Sequence, residues 1–252
     1  MIFTIAGREL RGLFLSPLAW SILAVVQLIL AYMFLAQVDF FVQLQPRLPT
    51  IPGAPGIAEI VAVPLLSNAA MILLLVVPLI TMRLISDERR NQTLPLLFAA
   101  PISMSAIVLG KFVGVMTFLL LMLLMILLMP LALLLGSSLD FGVLAAATLG
   151  LFLLLASFAA LGLFMSSLTA QPTIAAVSTF GVLLLLWIVD WAGSNADAGQ
   201  GSNALAYLSI LRHYEALLKG VFNSADVIYY LLFITVFLVL SVRRLDAERT
   251  QN

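Results

Sequence analysis

The chain has 252 residues, of which 63% are hydrophobic and only 10% charged, with a mean hydropathy of +1.18 and a formal net charge of zero. A soluble domain carries about a quarter charged residues, and this much apolar surface cannot be hidden inside a globule of this size, so lipid is the expected solvent. A neutral chain without a basic tract argues against nucleic acid as a partner, and the lack of cysteine removes disulfides, zinc–thiolate sites and thiol catalysis.

The expected fold is all-α: one polytopic membrane domain over residues 1–252 with six transmembrane helices. Residues 1–15 are not a cleavable signal, because Arg8, Glu9 and Arg11 interrupt the apolar run. Ile2, Phe3, Ala6, Leu10, Leu13 and Phe14 share one helical face with Thr4, Arg8 and Arg11 away from it, which predicts an interfacial helix. Span one covers 17–38, with Pro17 at the helix start. Its one strongly polar interior residue, Gln27, is best explained by a helix–helix contact.

Residues 39–62 contain Pro46, Pro49, Pro52 and Pro55 and read as an outer loop without a continuous helix. Span two covers 63–84, with Pro78 expected to kink it late. Span three, 112–135, is almost unbroken Leu and Met. At its inner end Gly110 and Gly114 form a small-xxx-small pair that invites close approach of another helix. Span four, 141–165, is rich in Ala and Gly and is expected inside the bundle.

Span five covers 173–189 and ends at the interfacial residues Trp187, Asp190 and Trp191. Residues 204–222 then show helical periodicity, with Tyr207, Leu211, Tyr214, Leu218 and Val221 opposed to Arg212, Glu215 and Lys219. Glu215 and Lys219 have the spacing of a helical ion pair. This segment is too polar to span, so an outer interfacial or re-entrant helix is expected. Span six covers 227–242 and a basic tail follows. Nine basic residues (Arg8, Arg11, Arg83, Arg89, Arg90, Lys111, Arg243, Arg244 and Arg249) fall on one side. Three (Arg47, Arg212 and Lys219) fall on the other, so both termini are expected in the cytoplasm.

The chain is not expected to be an enzyme by itself. Its sole histidine, His213, lies in the outer segment, and Asp140, Asp190 and Asp226 sit at span ends where an acid is cheap to solvate. Gly110-Lys111 is followed by Phe112 rather than Ser or Thr, so there is no phosphate-binding loop. No metal or cofactor is expected in this chain.

The remaining feature is a charged island, residues 83–111, between two long apolar runs. It holds an acidic-basic cluster (Asp87, Glu88, Arg89, Arg90), a Thr-Leu-x-Leu-Leu run from Thr93 to Leu97, an Ala-Ala-Pro-Ile turn ending at Ile102, and Gly110-Lys111. In these elements the chain resembles the permease subunits of type-2 ATP-binding-cassette (ABC) transporters, nearest the bacterial gliding-motility and copper-processing subgroup. Pro95 is a departure from the usual helix former. The resemblance implies a cytoplasmic coupling helix within 86–105 that docks on a separate ATPase subunit, which binds ATP and Mg. Thr93 would cap the helix, Leu94, Leu96 and Leu97 would supply the apolar contact, and Asp87, Glu88, Arg89 and Arg90 the polar rim.

The resemblance further implies a bacterial inner-membrane exporter working as a homodimer. Its seam would use spans two and five, and the segment 204–222 would close the outer mouth. Ser67, Asn68 and Ser178 are candidate pathway residues. The other readings are a scaffold, assembly or mechanotransducing subunit that holds a periplasmic partner through 39–62, and an ion-coupled carrier.

Overall fold

The structure, a computed structural model, describes residues 1–46, 56–94, 102–135, 140–195 and 209–250. Among them it contains helices and turns with no strand. Five helical stretches are long and apolar enough to cross a membrane: Pro17–Leu44, Ala58–Arg90, Met104–Ala132, Phe141–Leu168 and Ser224–Arg249. A sixth apolar stretch, Pro172–Ile188, is shorter.

Helix α1, Ile2–Leu15, and α2, Pro17–Leu44, meet at an extended Ser16. Proline disfavours helical backbone in the residue before it, so Pro17 ends one helix and opens the next. Trp20 Nε1 donates to Phe14 O at 2.8 Å across this corner. Helix α2 runs six residues past the expected span end, because the proline cluster that forbids helix begins only at Pro46 and 39–44 contains none. Most of the proline-rich stretch, 47–55, lies outside the described residues.

A π-helical turn, Ala58–Ala62, leads into α3, Val63–Thr81. Pro64 has no N–H and its ring crowds the carbonyl four residues back, so the wider turn is the way the chain enters this helix. At the other end α3 carries Pro78 and stops within a turn of it. A five-residue helix α4, Ser86–Arg90, follows.

Helix α5, Met104–Ala132, begins eight residues before the expected span, because Ser103 Oγ accepts Ala106 N at 3.3 Å and caps it. Gly110 and Lys111 therefore lie inside a helix. Helix α6, Phe141–Leu168, is capped by Asp140, whose Oδ1 accepts Gly142 N at 2.8 Å. As expected for its small residues, it is the most buried of the five long helices, and α3, α5, α7 (Pro172–Asn195), α8 (Ile210–Leu218) and α9 (Ser224–Arg249) all pack on it. At Gly162 the fit is tightest: a Cβ there would run into Thr81 Oγ1 of α3.

The Gly110–Gly114 pair does admit another helix, and that helix is α1. A Cβ at 110 would lie 2.7 Å from Ile5 Cβ, and one at 114 would lie 3.0 Å from Ala6 O. The face that α1 turns to α5 carries Ile5, Ala6 and Glu9. Phe3, on the apolar face of the expected interfacial helix, is 82% exposed and takes no part in this packing. Gln27 Nε2 reaches Met122 O at 3.4 Å, the helix–helix contact expected of it.

Candidate functional site

Helix α4 is too short to be stable alone, and the chain holds it from both ends. Ser166 of α6 is fully buried and uses its whole hydrogen-bonding capacity on the turn before α4. Its Oγ accepts Ile85 N and Ser86 N, both at 3.1 Å, and donates to Met82 O at 2.9 Å. Ser86 Oγ also donates to Met82 O. At the C-terminus Gln92 adopts a left-handed φ of 56°, Gln92 N donates to Arg89 O, and Thr93 N donates to Glu88 O at 3.0 Å. This is a Schellman cap with glutamine where glycine is favoured. The same bonding ends α8, with Gly220 at φ 77° in that place.

Adjacent residues of α4 then tie to opposite halves of the molecule. Glu88 Oε1 accepts Lys111 Nζ of α5 at 2.8 Å and Arg8 Nη2 of α1 at 3.2 Å. The same Lys111 nitrogen donates to Glu9 Oε1 of α1 at 2.7 Å. Lys111 is only 1% exposed, so its charge is carried inside the protein and matched by two carboxylates. Glu88 Oε2 is buried without a hydrogen-bond partner among the described residues.

Arg89 points the other way. Its Nη2 donates to Ser167 O of α6 at 2.7 Å and to both carboxylate oxygens of Glu248 on α9, at 2.6 and 2.7 Å. Arg244 joins Glu248 at 3.2 Å. The C-terminal stretch that read as a basic tail is thus the last turns of α9, and it brings an acid back to the island.

The sequence-derived site residues are distributed as follows. Glu88 and Arg89 are engaged inside the chain, Asp87 is half-buried, and Arg90 and Thr93 are exposed. Thr93 closes the end of α4, with Oγ1 donating to Glu88 O at 3.2 Å, rather than opening a helix within the described residues. Leu94 is buried in the chain's own core. Leu96 and Leu97 lie outside the described residues. Ser67 is exposed on α3 beside the stripe formed by Met71 and Leu75. Asn68 is half-buried, and Ser178 is half-buried on α7 with its hydroxyl donating to Ala175 O. The structure does not bring Ser178 into any described hydrogen bond with Ser67 or Asn68.

At the far end of the bundle a second polar cluster had no counterpart in the sequence reading. His213 Nδ1 lies 2.6 Å from Asp226 Oδ1, both buried, and the His213 ring stacks on Tyr229 at 4.2 Å between centroids. Asp226 is therefore a buried partner and not a solvated span-end acid. Tyr214 Oη donates to Leu66 O at 2.9 Å, and Tyr230 Oη donates to Ile210 O at 2.7 Å. Burial pushes the Tyr214 phenol up, which keeps it a donor. The inward face of α8 is Ile210, His213, Tyr214, Leu217 and Leu218. That is a regular i, i+3, i+4, i+7, i+8 pattern, rotated from the expected Tyr207, Leu211, Tyr214, Leu218 and Val221 face, which shares only Tyr214 and Leu218 with it. The expected helix began at 204, but 204–208 lie outside the described residues. Lys219 falls at the C-cap, beyond the helix it was to share with Glu215.

Among the described residues no group of three His, Asp or Glu side chains could hold a metal ion. What the geometry can do is mechanical: a push on α4 reaches α1 and α5 through Glu88, and α6 and α9 through Arg89.

A family model described as "ABC-2 family transporter protein" matches residues 3–249. No curated protein matches the chain.

Proposed function

We infer that this chain, which belongs to the ABC-2 family of transporter proteins, is the membrane permease subunit of an ATP-driven exporter, moved by a separate ATPase that docks on the island. The observation that carries this reading is the double tether of α4. Adjacent residues Glu88 and Arg89 are ion-paired to different helices, so a small displacement of α4 is communicated to both sides of the bundle at once. Leu96 and Leu97 then provide the apolar docking contact, Asp87, Arg90 and Thr93 its rim, and Leu94 anchors the segment to the core. Glu88 and Arg89 serve as the linkage behind that surface.

Parity supports six crossings. Glu9 and Glu248 both pair at the island, which supports residues 9 and 248 lying on one side with an even number of crossings between them. Five long helices alone would leave an odd number. The 24-residue α7, about 36 Å at 1.5 Å per residue, supplies the sixth. The charge distribution favours the island on the cytoplasmic side of a bacterial inner membrane. The ATPase supplies ATP and Mg chemistry, and its closure drives the bundle between inward- and outward-open arrangements.

Exposed apolar stripes on α3 (Met71, Leu75) and on the outer part of α7 (Leu184, Leu185, Ile188) support a homodimer whose seam contains the pathway, with Ser67, Asn68 and Ser178 bordering it. The far-end cluster of α8 would close the outer mouth. The test is co-purification: the wild-type chain retains a nucleotide-binding subunit and has no ATPase activity alone. A Leu96→Asp/Leu97→Asp variant that stays in the membrane and still retains the subunit would sink the docking assignment.

A further inference from the structure

We propose that the cleft between α4 and the α6–α7 turn binds the phosphate headgroup of an anionic phospholipid from the leaflet on the island side. The cleft has a volume of about 620 Å³, and Arg83, Arg89, Arg90, Gln92, Gln171 and Thr173 are on its wall with Asp87 as the acid among them. Arg89 is already matched by Glu248. Arg83 and Arg90 are exposed and make no ion pair or side-chain hydrogen bond among the described residues. Two unmatched guanidinium groups in one concave polar site provide the planar donors that phosphate oxygens accept. The wall also includes the first turn of α7, whose leading amides have no intrahelical acceptor and whose dipole favours an anion.

The apolar continuation selects a lipid over a free anion. Thr173 also borders a second groove, about 330 Å³, formed with Ile174, Val177 and Ser178 on the flank of α7. Ile174 and Val177 are exposed. A molecule with a phosphate at Arg83 and Arg90 and an acyl chain along Ile174 and Val177 fills both spaces. Inorganic phosphate fills only the first. A second copy docked cleft to cleft would bring the same arginines, with charge of the wrong sign. A cytoplasmic protein reaches Arg90 but has no reason to enter a groove at membrane depth. The cytoplasmic leaflet presents a negative surface potential, and basic sites near it gain from that potential. The inference therefore rests on the orientation proposed above, and it does not depend on ATPase docking.

The experiment is native mass spectrometry of the full chain, purified without any ATPase subunit. It compares retention of phosphatidylglycerol with that of phosphatidylcholine of the same acyl length. Wild type retains phosphatidylglycerol preferentially. Arg83→Gln/Arg90→Gln reduces that preference about tenfold or more, as the loss of two membrane-proximal cations requires. Arg83→Lys/Arg90→Lys keeps most of it, Arg11→Gln, at an exposed position of α1, leaves it unchanged, and added inorganic phosphate does not displace the lipid. The proposal is overturned if the glutamine pair keeps full preference, if Arg11→Gln loses it equally, or if inorganic phosphate alone empties the site.

Discussion

Replacing Lys111 with Met tests whether the charge cluster is the joint between the island and the N-terminal half. The Nζ atom lies 2.7 Å from Glu9 Oε1 and 2.8 Å from Glu88 Oε1, with its side chain 2% exposed. At such separations each pair is worth about 6 kcal/mol at an effective dielectric of 20, before desolvation. Desolvating the ammonium and two carboxylates takes back most of that, and removing one partner of a buried pair typically costs about 3–5 kcal/mol. Arg8, which reaches both carboxylates at 3.2 and 3.6 Å, remains to compensate in part, so Lys111→Met should destabilise by about 3 kcal/mol. Adding Glu88→Gln removes one orphaned carboxylate and should recover about 1 kcal/mol. The assay is a double-mutant cycle on detergent-solubilised chain followed by denaturant unfolding, with ATPase stimulation as a second readout in the complex. If Lys111→Met and Glu88→Gln combine additively within about 0.5 kcal/mol, the cluster is not a coupled unit and the reasoning is wrong.

Three further outcomes follow from the packing. Gly114→Leu should detach α1 from α5, since its Cβ would meet Ala6 O, a backbone atom, at 3.0 Å. The cost is about 1–3 kcal/mol, read as faster proteolysis near the N-terminus, and wild-type protection would contradict the close approach. Gln92→Gly should stabilise α4 by about 0.5–1 kcal/mol, because only the left-handed φ is relieved. Slower amide exchange at Thr93 is the signature, and faster exchange argues against the cap. Tyr214→Phe removes the buried phenol donor that Leu66 O accepts and should cost about 1–2 kcal/mol, measured by thermal unfolding. A neutral result would mean that water replaces the phenol.

The long apolar runs were legible because a membrane helix must satisfy its backbone internally and cover about 30 Å. Helix ends were less so, since they depend on caps as well as on hydropathy. Hydropathy alone starts span three at Phe112, after the last charge of the island. The helix actually begins at Met104, and the lysine is neutralised by Glu9 and Glu88 from distant parts of the chain. The Gly110–Gly114 spacing announced a close contact without naming α1 as the visitor. The acids and arginines of the island were visible as a cluster. That Glu88 and Arg89 point to opposite partners depends on a left-handed Gln92 and on Ser166, neither of which has a local sequence signal. In α8 the apolar period was present, but a face centred on Leu211 is rotated from the one that packs inward, and the pairing of His213 with Asp226, 13 residues on, has no local signal.

The central claim, that an ATPase grips this chain at the island, is tested most directly by cross-linking from Thr93. The chain has no cysteine, so Thr93→Cys, at an exposed position closing α4, gives a thiol reporter at a single site in this chain for a short bifunctional maleimide in native membranes. The account predicts a cross-linked product containing a nucleotide-binding ATPase subunit, with its yield altered by ATP. Cross-linking at Thr93 that never captures an ATPase, while a cysteine at exposed Ser67 on α3 does, would contradict it.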